Sequence, residues 1–541
     1  MWGESLRAKA IDQWTREIPI IATRGNIVDR NGVVLAENAD TYTVFVRKRA
    51  VVGLEKTAKT IANCLDLYEN NVLNRIKNTV SSEVIVASHI KKSKIDLLLK
   101  ENLSGVYYSR DNFRSYPYGE FLSQVLGITS VDNYGQSGLE LKYDKYLKGV
   151  NGEILYETDI VGVELENTTA SYLPATDGLS LKLTIDYGIQ SLTEKAVQDA
   201  YKIHQAKAVS CIVLDPQTCE ILALACSPSY DLNNPPRDDV SSLNKLSRNS
   251  VISDSFEPGS SFKIITSAAN IEEYFKGNKN AFSLEHIYSS SRYRYVDGQR
   301  IKCWSEHKNG KHNSLTLAGG LNNSCNPIFV DIAMSLGKET MYSYIEKFGF
   351  GQVTGVDFNG EAQGMLLPKT AVLNVDLARI GFGQTIAVTA LQLATAVSTA
   401  INGGNYYAPH FVKEIYSSDG IIAETILPTL KRRVISEKTS RTLASMLESV
   451  VTDGSGKQAY IEGYKVGGKT STAQKYENGS IAHGKYVSGF VGFFPSNNPK
   501  YLALFSVDEP IGQYYGSLVA SPYVRQIFEG IISLKDIPPC K

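Results

Sequence analysis

Glu257-Pro258-Gly259-Ser260-Ser261-Phe262-Lys263 reads as the entrance to a helix that carries a nucleophile. Proline and glycine suit a turn into a helix N-terminus. Residues three apart share a helix face, so Lys263 can reach the Ser260 hydroxyl. A serine is a poor nucleophile at neutral pH and needs an adjacent base. Lysine serves as that base only if its pKa falls well below about 10.4. Burial and a second nearby cation bring this about. The free N–H groups of the first turn favour negative charge, so the Ser260 N–H is a candidate oxyanion donor. Standing alone, the same string reads as a capping serine beside a solvated lysine.

Two later segments decide between these readings. Ser324-Cys325-Asn326 offers a hydroxyl to relay a proton to a leaving amine. Its Asn326 can orient Lys263 and hold a substrate amide through its carbonyl and NH2 groups. Ser324 beside Pro327 also suits a helix start. Lys469-Thr470-Ser471-Thr472 follows Gly467-Gly468, a pair that suggests close backbone approach of a ligand. Lys469 supplies the second cation and a charge for a carboxylate. Thr470 and Thr472 supply hydroxyls, and the Thr472 N–H is a second candidate oxyanion donor. Three segments in this order point to acyl transfer through a serine.

The chain has 541 residues, more than one ordinary domain, and 43% of them are hydrophobic. Lys plus Arg and Asp plus Glu each total 56, which argues against a nucleic-acid partner. No run of about 18 apolar residues reads as a membrane span. The seven cysteines are irregularly spaced and do not form a disulfide framework. Asn31-Gly32 between apolar runs predicts a hairpin. Residues 55–101 read as helices with a strand at 84–87, and Lys91-Lys92-Ser93-Lys94 as a solvated helix face. Residues 111–118 and 135–149 read as loops and short helices. A turn cluster at 173–178 places the domain boundary near residue 172. Beyond it come a helix at 189–206, a hairpin of 208–214 with 220–225, a strand pair at 486–494 and 501–507, and a terminal helix at 517–534. Strands from both ends of one region with helices between them predict one sheet covered by helices.

A second chemistry is written just upstream of Ser324. Cys303, His307 and His312 place three zinc-type ligands within ten residues. Asp297 is the expected fourth ligand, with Cys325 and Glu306 as alternatives. The serine chemistry has its own base, so the expected role is a structural zinc.

Ser-x-x-Lys, Ser-x-Asn and Lys-Thr-x in this order are the motifs of penicillin-binding proteins and class A β-lactamases. The chain resembles a class B penicillin-binding protein, in its sporulation and Gram-positive division branches. Further segments carry the likeness: Arg24 to Gly32, Arg114-Ser115-Tyr116-Pro117, Ser137-Gly138-Leu139-Glu140, Leu183-Thr184-Ile185-Asp186, Gly381-Phe382-Gly383-Gln384 and Asn402-Gly403-Gly404. The resemblance implies an α+β multidomain fold. An extended β-rich pedestal, 1–172, of the family's dimerisation type precedes a transpeptidase domain, 173–541, with an antiparallel sheet and a helical subdomain. It implies peptidoglycan D,D-transpeptidation, with Ser260, Lys263, Ser324, Asn326 and Lys469 catalytic and Thr470, Ser471 and Thr472 binding substrate. No cofactor is required for that chemistry. The implied partners are peptidoglycan stem peptides, β-lactams and a membrane glycan polymerase of the shape, division and sporulation systems. The implied place is the extracytoplasmic face of the cell membrane, on an anchor missing from these residues. A β-lactam sensor, a D,D-carboxypeptidase and a non-enzymatic division or sporulation scaffold are the alternatives. A β-lactamase would need a deacylating Glu-x-x-x-Asn loop, which is not evident. Two residues depart from the family pattern. Ser471 stands where glycine is usual, and is expected to tighten the site or alter β-lactam sensitivity. Cys219 also replaces a glycine.

Overall fold

The Asn31-Gly32 turn closes the first hairpin. Gly32 takes a φ of 93°, in the left-handed region that glycine enters freely, and the strands Ile27–Val28 and Val34–Arg47 run antiparallel from it. The structure is a computed structural model describing residues 15–158, 164–289, 291–307, 312, 314–477 and 480–540. The polar opening at 1–14 lies outside the described residues.

The long strand Val34–Arg47 is the spine of the N-terminal half. It pairs on one side with Glu83–Lys91 and along its length with Val106–Ser115. The second of these corrects the sequence reading. Residues 111–115 are strand rather than loop, because the ladder to Val34–Arg47 satisfies their backbone groups despite a polar composition. The helices Leu54–Leu65, Glu69–Asn78 and Lys92–Lys100 pack Ile61, Leu65, Val72, Ile76, Ile95 and Leu98 onto this sheet. Three further antiparallel strands, Thr15–Ile20, Gly152–Thr158 and Glu164–Leu173, form a separate sheet. Residues 138–147 are short helices, as expected.

Family-like segments far apart in sequence meet in one buried knot. Glu140 is fully buried and accepts from Arg24 Nε at 2.7 Å and from Arg114 Nε at 2.6 Å. Arg24 also donates to Asp144 at 2.6 Å. Removing one partner would leave a buried charge uncompensated, which typically costs about 3–5 kcal/mol.

One sheet takes strands from both sides of residue 172. Ser180–Leu183 pairs in parallel with Ile27–Val28 and antiparallel with Val412–Tyr416. The C-terminal half is built on a further sheet, entirely antiparallel. Its order is Ile221–Ser227, Ala208–Leu214, Tyr501–Asp508, Ser480–Phe494 and Gly467–Glu477. The helices Tyr187–Ile203 and Ser521–Leu534 cover one face through residues such as Ile189, Val197, Val524 and Phe528. The buried helices Lys263–Phe275 and Ala390–Ile401 belong to the larger core on the other side. Cys219 lies in the turn between Ala208–Leu214 and Ile221–Ser227 with φ 56°. That left-handed conformation is the physical reason a glycine suits the position.

Candidate active site

Ser260 sits in a 3-10 turn, Gly259–Phe262, that runs directly into the helix Lys263–Phe275. Gly259 has φ 52°, and a Cβ there would contact Ala473 and the Thr472 carbonyl. The turn is therefore pressed against the edge strand Gly467–Glu477. From behind, Gly259 N–H donates to Gly383 O at 2.9 Å, and Gly383 has no room for a side chain against that turn. Glu257 Oε1 accepts from Thr385 N at 2.9 Å and ties the same loop down.

Lys263 is fully buried and has four polar neighbours. Its Nζ is 3.1 Å from Ser260 Oγ, 2.8 Å from Ser324 O, 3.1 Å from Ser324 Oγ and 2.7 Å from Asn326 Oδ1. The arrangement suits a neutral amine. Two N–H groups donate to the close acceptors Ser324 O and Asn326 Oδ1, leaving the lone pair for the Ser260 hydroxyl proton. Burial lowers the Lys263 pKa to about 8, against the opposing pull of Cys303 and Cys325. Lys469, also fully buried, is held well below its ordinary value, first by burial and then by Lys263. Its Nζ donates to Ser324 Oγ at 3.1 Å and to Thr470 O at 3.2 Å.

Ser324 links the two lysines from a strained backbone, with φ 51°. The helix after it begins at Asn326 with Cys325 as its N-cap, one residue later than the sequence suggested. Asn326 is fixed by a 3.3 Å bond from its Nδ2 to Lys302 O. Thr472 Oγ1 accepts from Gly516 N at 3.1 Å. All eight residues proposed for catalysis and substrate binding are thus gathered around one cleft of about 510 Å³ or directly behind it.

Ser471 does not crowd its strand. Directly across the ladder stands Gly489, and a Cβ there would lie 3.0 Å from Ser471 Oγ. The missing side chain at 489 makes the room that the serine uses. Sequence reasoning missed the aromatic wall of the cleft: Trp304, Phe382, Tyr486, Tyr514 and Tyr515. Tyr486 and Tyr514 stack at 4.2 Å. The consecutive tyrosines between Gly512 and Gly516 were the available signal. Ser455, whose Oγ lies 3.1 Å from Thr470 Oγ1, was missed too and carries no sequence signal.

The metal-type cluster forms, with one change of ligand. Donor atoms of Cys303, His307, His312 and Cys325 all lie within 4.8 Å of one another. Asp297 is not in this group. Its carboxylate accepts from Asn374 Nδ2 at 3.4 Å, because the Gln299–Lys302 strand carries the chain away from the Asp297 turn. Glu306 is likewise engaged elsewhere, by Arg292. Lys308, Asn309, Gly310 and Lys311 lie outside the described residues. Cys303, His312 and Cys325 are buried, and His312 Nδ1 is buried without a partner. The Cys325 thiol donates to Cys303, which holds Cys303 toward thiolate and Cys325 toward thiol. Two sulfurs and two imidazoles at this separation fit a tetrahedral zinc. No described helix is long and apolar enough to cross a membrane.

Comparison with known proteins agrees with this geometry. Residues 209–529 match the penicillin binding protein transpeptidase domain, and residues 19–183 the penicillin-binding protein dimerisation domain. Stage V sporulation protein D of Bacillus subtilis is 38% identical over 545 residues, covering 100% of this chain and 82% of that protein. A peptidoglycan D,D-transpeptidase FtsI homolog of Mesostigma viride is 30% identical over 568 residues, covering 100% and 92%. Among solved structures, penicillin binding protein 3 of Mycobacterium tuberculosis complexed with ampicillin superposes with a TM-score of 0.73 at 25% identity, over 97% of each chain. With both domains matched and a relative alike along the whole of this chain, the chain belongs to the class B penicillin-binding proteins.

Proposed function

We propose that this protein is a peptidoglycan D,D-transpeptidase working through an acyl-serine at Ser260. The observation that carries the reading is the buried Lys263 amine, held by two acceptors with its lone pair free for the Ser260 hydroxyl. Lys263 takes the Ser260 proton as Oγ attacks the penultimate D-alanine carbonyl of a stem peptide. The oxyanion is received by the N–H groups of Ser260 and Thr472, donors of a kind whose loss typically costs about 3–4 kcal/mol. As the C–N bond breaks, the proton passes through Ser324 to the departing D-alanine amine. An amine of a second stem peptide then attacks the ester and returns the proton to Ser260 by the same route. Lys469, Thr470 and Thr472 hold the terminal carboxylate, and Ser471 shapes the strand that carries them. β-Lactams acylate the same serine.

The Cys303, His307, His312 and Cys325 group holds a structural zinc in this reading. When bound, zinc supplies a cross-link between the loop before Ser324 and the start of the Asn326 helix. The chain's own residues keep Ser324 and Asn326 on Lys263. Residues 1–172 serve as the pedestal and 173–541 as the catalytic domain. The pedestal faces a membrane glycan polymerase on the outer side of the cell membrane. Turnover of a D-alanyl stem-peptide analogue tests the function. Cross-linked product that increases with added acceptor amine supports transpeptidation. Release of D-alanine to water at a rate indifferent to acceptor would make the protein a carboxypeptidase instead.

A further inference from the structure

The strands Tyr293–Val296 and Gln299–Lys302 form an antiparallel hairpin just before Cys303. Asp297 and Gly298 close it with φ of 47° and 77°, the left-handed pair of a tight two-residue turn, and this fixes the register. Tyr293 stands opposite Lys302 and Tyr295 opposite Arg300, and directly opposed residues share a face. Val296 and Ile301 are buried, and Arg294, opposite Ile301, pairs with Asp331 at 2.6 Å. The other face is aromatic and cationic. Tyr295 is 70% exposed, and Arg300 and Lys302 are exposed beside it. The Arg300 guanidinium lies 5.0 Å from the centre of the Tyr293 ring. Neither Arg300 nor Lys302 pairs with a carboxylate among the described residues. The acids nearest in sequence are engaged elsewhere: Glu306 with Arg292, and Asp297 with Asn374.

This face is continuous with the catalytic cleft. Lys302 and Trp304 line the cleft, and none of the residues lining it is acidic. Lys302 O accepts from Asn326 Nδ2 at 3.3 Å, so Lys302 stands beside the side chain that receives the substrate amide. Trp304 is 58% exposed, yet its Nε1 donates to Asn323 O at 3.1 Å, which makes its ring a fixed platform at the same edge. Two cations without carboxylate partners, next to exposed aromatic rings, match a ligand that carries negative charge on a partly apolar body. We propose that the hairpin face binds the donor stem peptide upstream of its D-alanyl end, with Lys302 and Arg300 receiving a free carboxylate. The proposal rests on the transpeptidase reading and deepens it, because it makes an anionic stem peptide the preferred donor over an amidated one. Two groups of a stem peptide supply that chemistry: the α-carboxylate of a γ-linked D-glutamate and the second carboxylate of a diaminopimelate.

Release of D-alanine from three pentapeptides, measured as kcat/KM on the full chain, tests this. One carries both carboxylates free, one is amidated at D-glutamate, and one is amidated at diaminopimelate. Wild type, Arg300→Gln and Lys302→Gln are compared. The expected result is a wild-type preference of about fivefold or more for the free peptide over at least one amidated form. The amide that costs more identifies which carboxylate is read. In both variants that preference should shrink to about twofold or less. Equal kcat/KM for all three peptides in the wild type overturns the proposal and leaves the transpeptidase reading standing. A preference that both variants retain in full overturns it as well. Absence of D-alanine release from every peptide removes the reading beneath the proposal, and the proposal with it. Arg300 does not line the cleft, so penicillin acylation should be unchanged in Arg300→Gln. If Lys302→Gln does not fold, Arg300→Gln alone decides.

Discussion

Lys469 and Lys263 meet through a single hydroxyl: each Nζ lies 3.1 Å from Ser324 Oγ. Two buried amines so placed cannot both be charged without strong mutual repulsion. Burial has already brought Lys263 to about 8. The second-order rate of acylation by a penicillin should therefore follow the neutral fraction of Lys263. It should fall about tenfold per pH unit below that value and level off above it. A stopped-flow rate profile between pH 6 and 10 checks this. A rate independent of pH across 7 to 9 would mean that Lys263 is not the base.

Ser324 combines strain with chemistry, which allows the two to be separated. Ser324→Gly relieves the left-handed backbone, so thermal stability should hold or rise slightly. It also removes the oxygen between the lysines, and acylation should slow by about 10²–10⁴-fold. Melting curves and acylation rates on the same preparation test both halves. A variant that loses stability along with activity would show the hydroxyl to be mainly structural.

Ser471 should matter less than its departure from the family pattern suggests. Ser471→Gly is expected to change acylation by no more than a few-fold, since Gly489 already leaves the space its hydroxyl fills. Gly489→Ala should be damaging, because the new methyl meets both Ser471 Oγ and Phe505 O at 3.0 Å. Adding Ser471→Gly to Gly489→Ala should recover part of the loss. A double-mutant cycle with no coupling would contradict the cross-strand argument.

Removing metal should act on stability first. A purified sample should contain about one zinc per chain, and chelation should lower the melting temperature. Cys303→Ser or Cys325→Ser should abolish the chelator's effect, whereas Asp297→Asn should leave it intact. Elemental analysis without metal, or a melting temperature indifferent to chelator, would remove zinc from the account.

Glu140→Gln tests the buried knot of the N-terminal half. It leaves Arg24 and Arg114 facing a neutral amide, and a loss of about 3–5 kcal/mol is expected. Chemical denaturation should show this in the transition that reports the N-terminal half, with penicillin acylation of the folded protein retained. An unchanged denaturation midpoint would mean that the knot contributes little.

The catalytic motifs were legible because their chemistry needs particular residue types at short spacing. Ser260 and Lys263 sit one turn apart on any helix, and the structure adds only the burial that tunes them. Hairpins were legible where turn chemistry is strong, as at Asn31-Gly32. Tertiary pairing is less visible. Residues 111–115 look like loop, and become strand only because Val34–Arg47 lies beside them. Asp297 failed as a ligand for a similar reason. It is near Cys303 in sequence, but a strand carries it away, while Cys325 returns from the far side of a helix. The aromatic wall joins Trp304, Phe382, Tyr486, Tyr514 and Tyr515 across long stretches of chain, and only the consecutive tyrosines at 514–515 give a local sign of it.

The most direct test of the central claim is intact-mass spectrometry after incubation with a penicillin, on wild type and Ser260→Ala. The account predicts one stable adduct per chain in the wild type and none in the variant. An adduct that persists in Ser260→Ala, or a penicillin hydrolysed without accumulating on the protein, would contradict it.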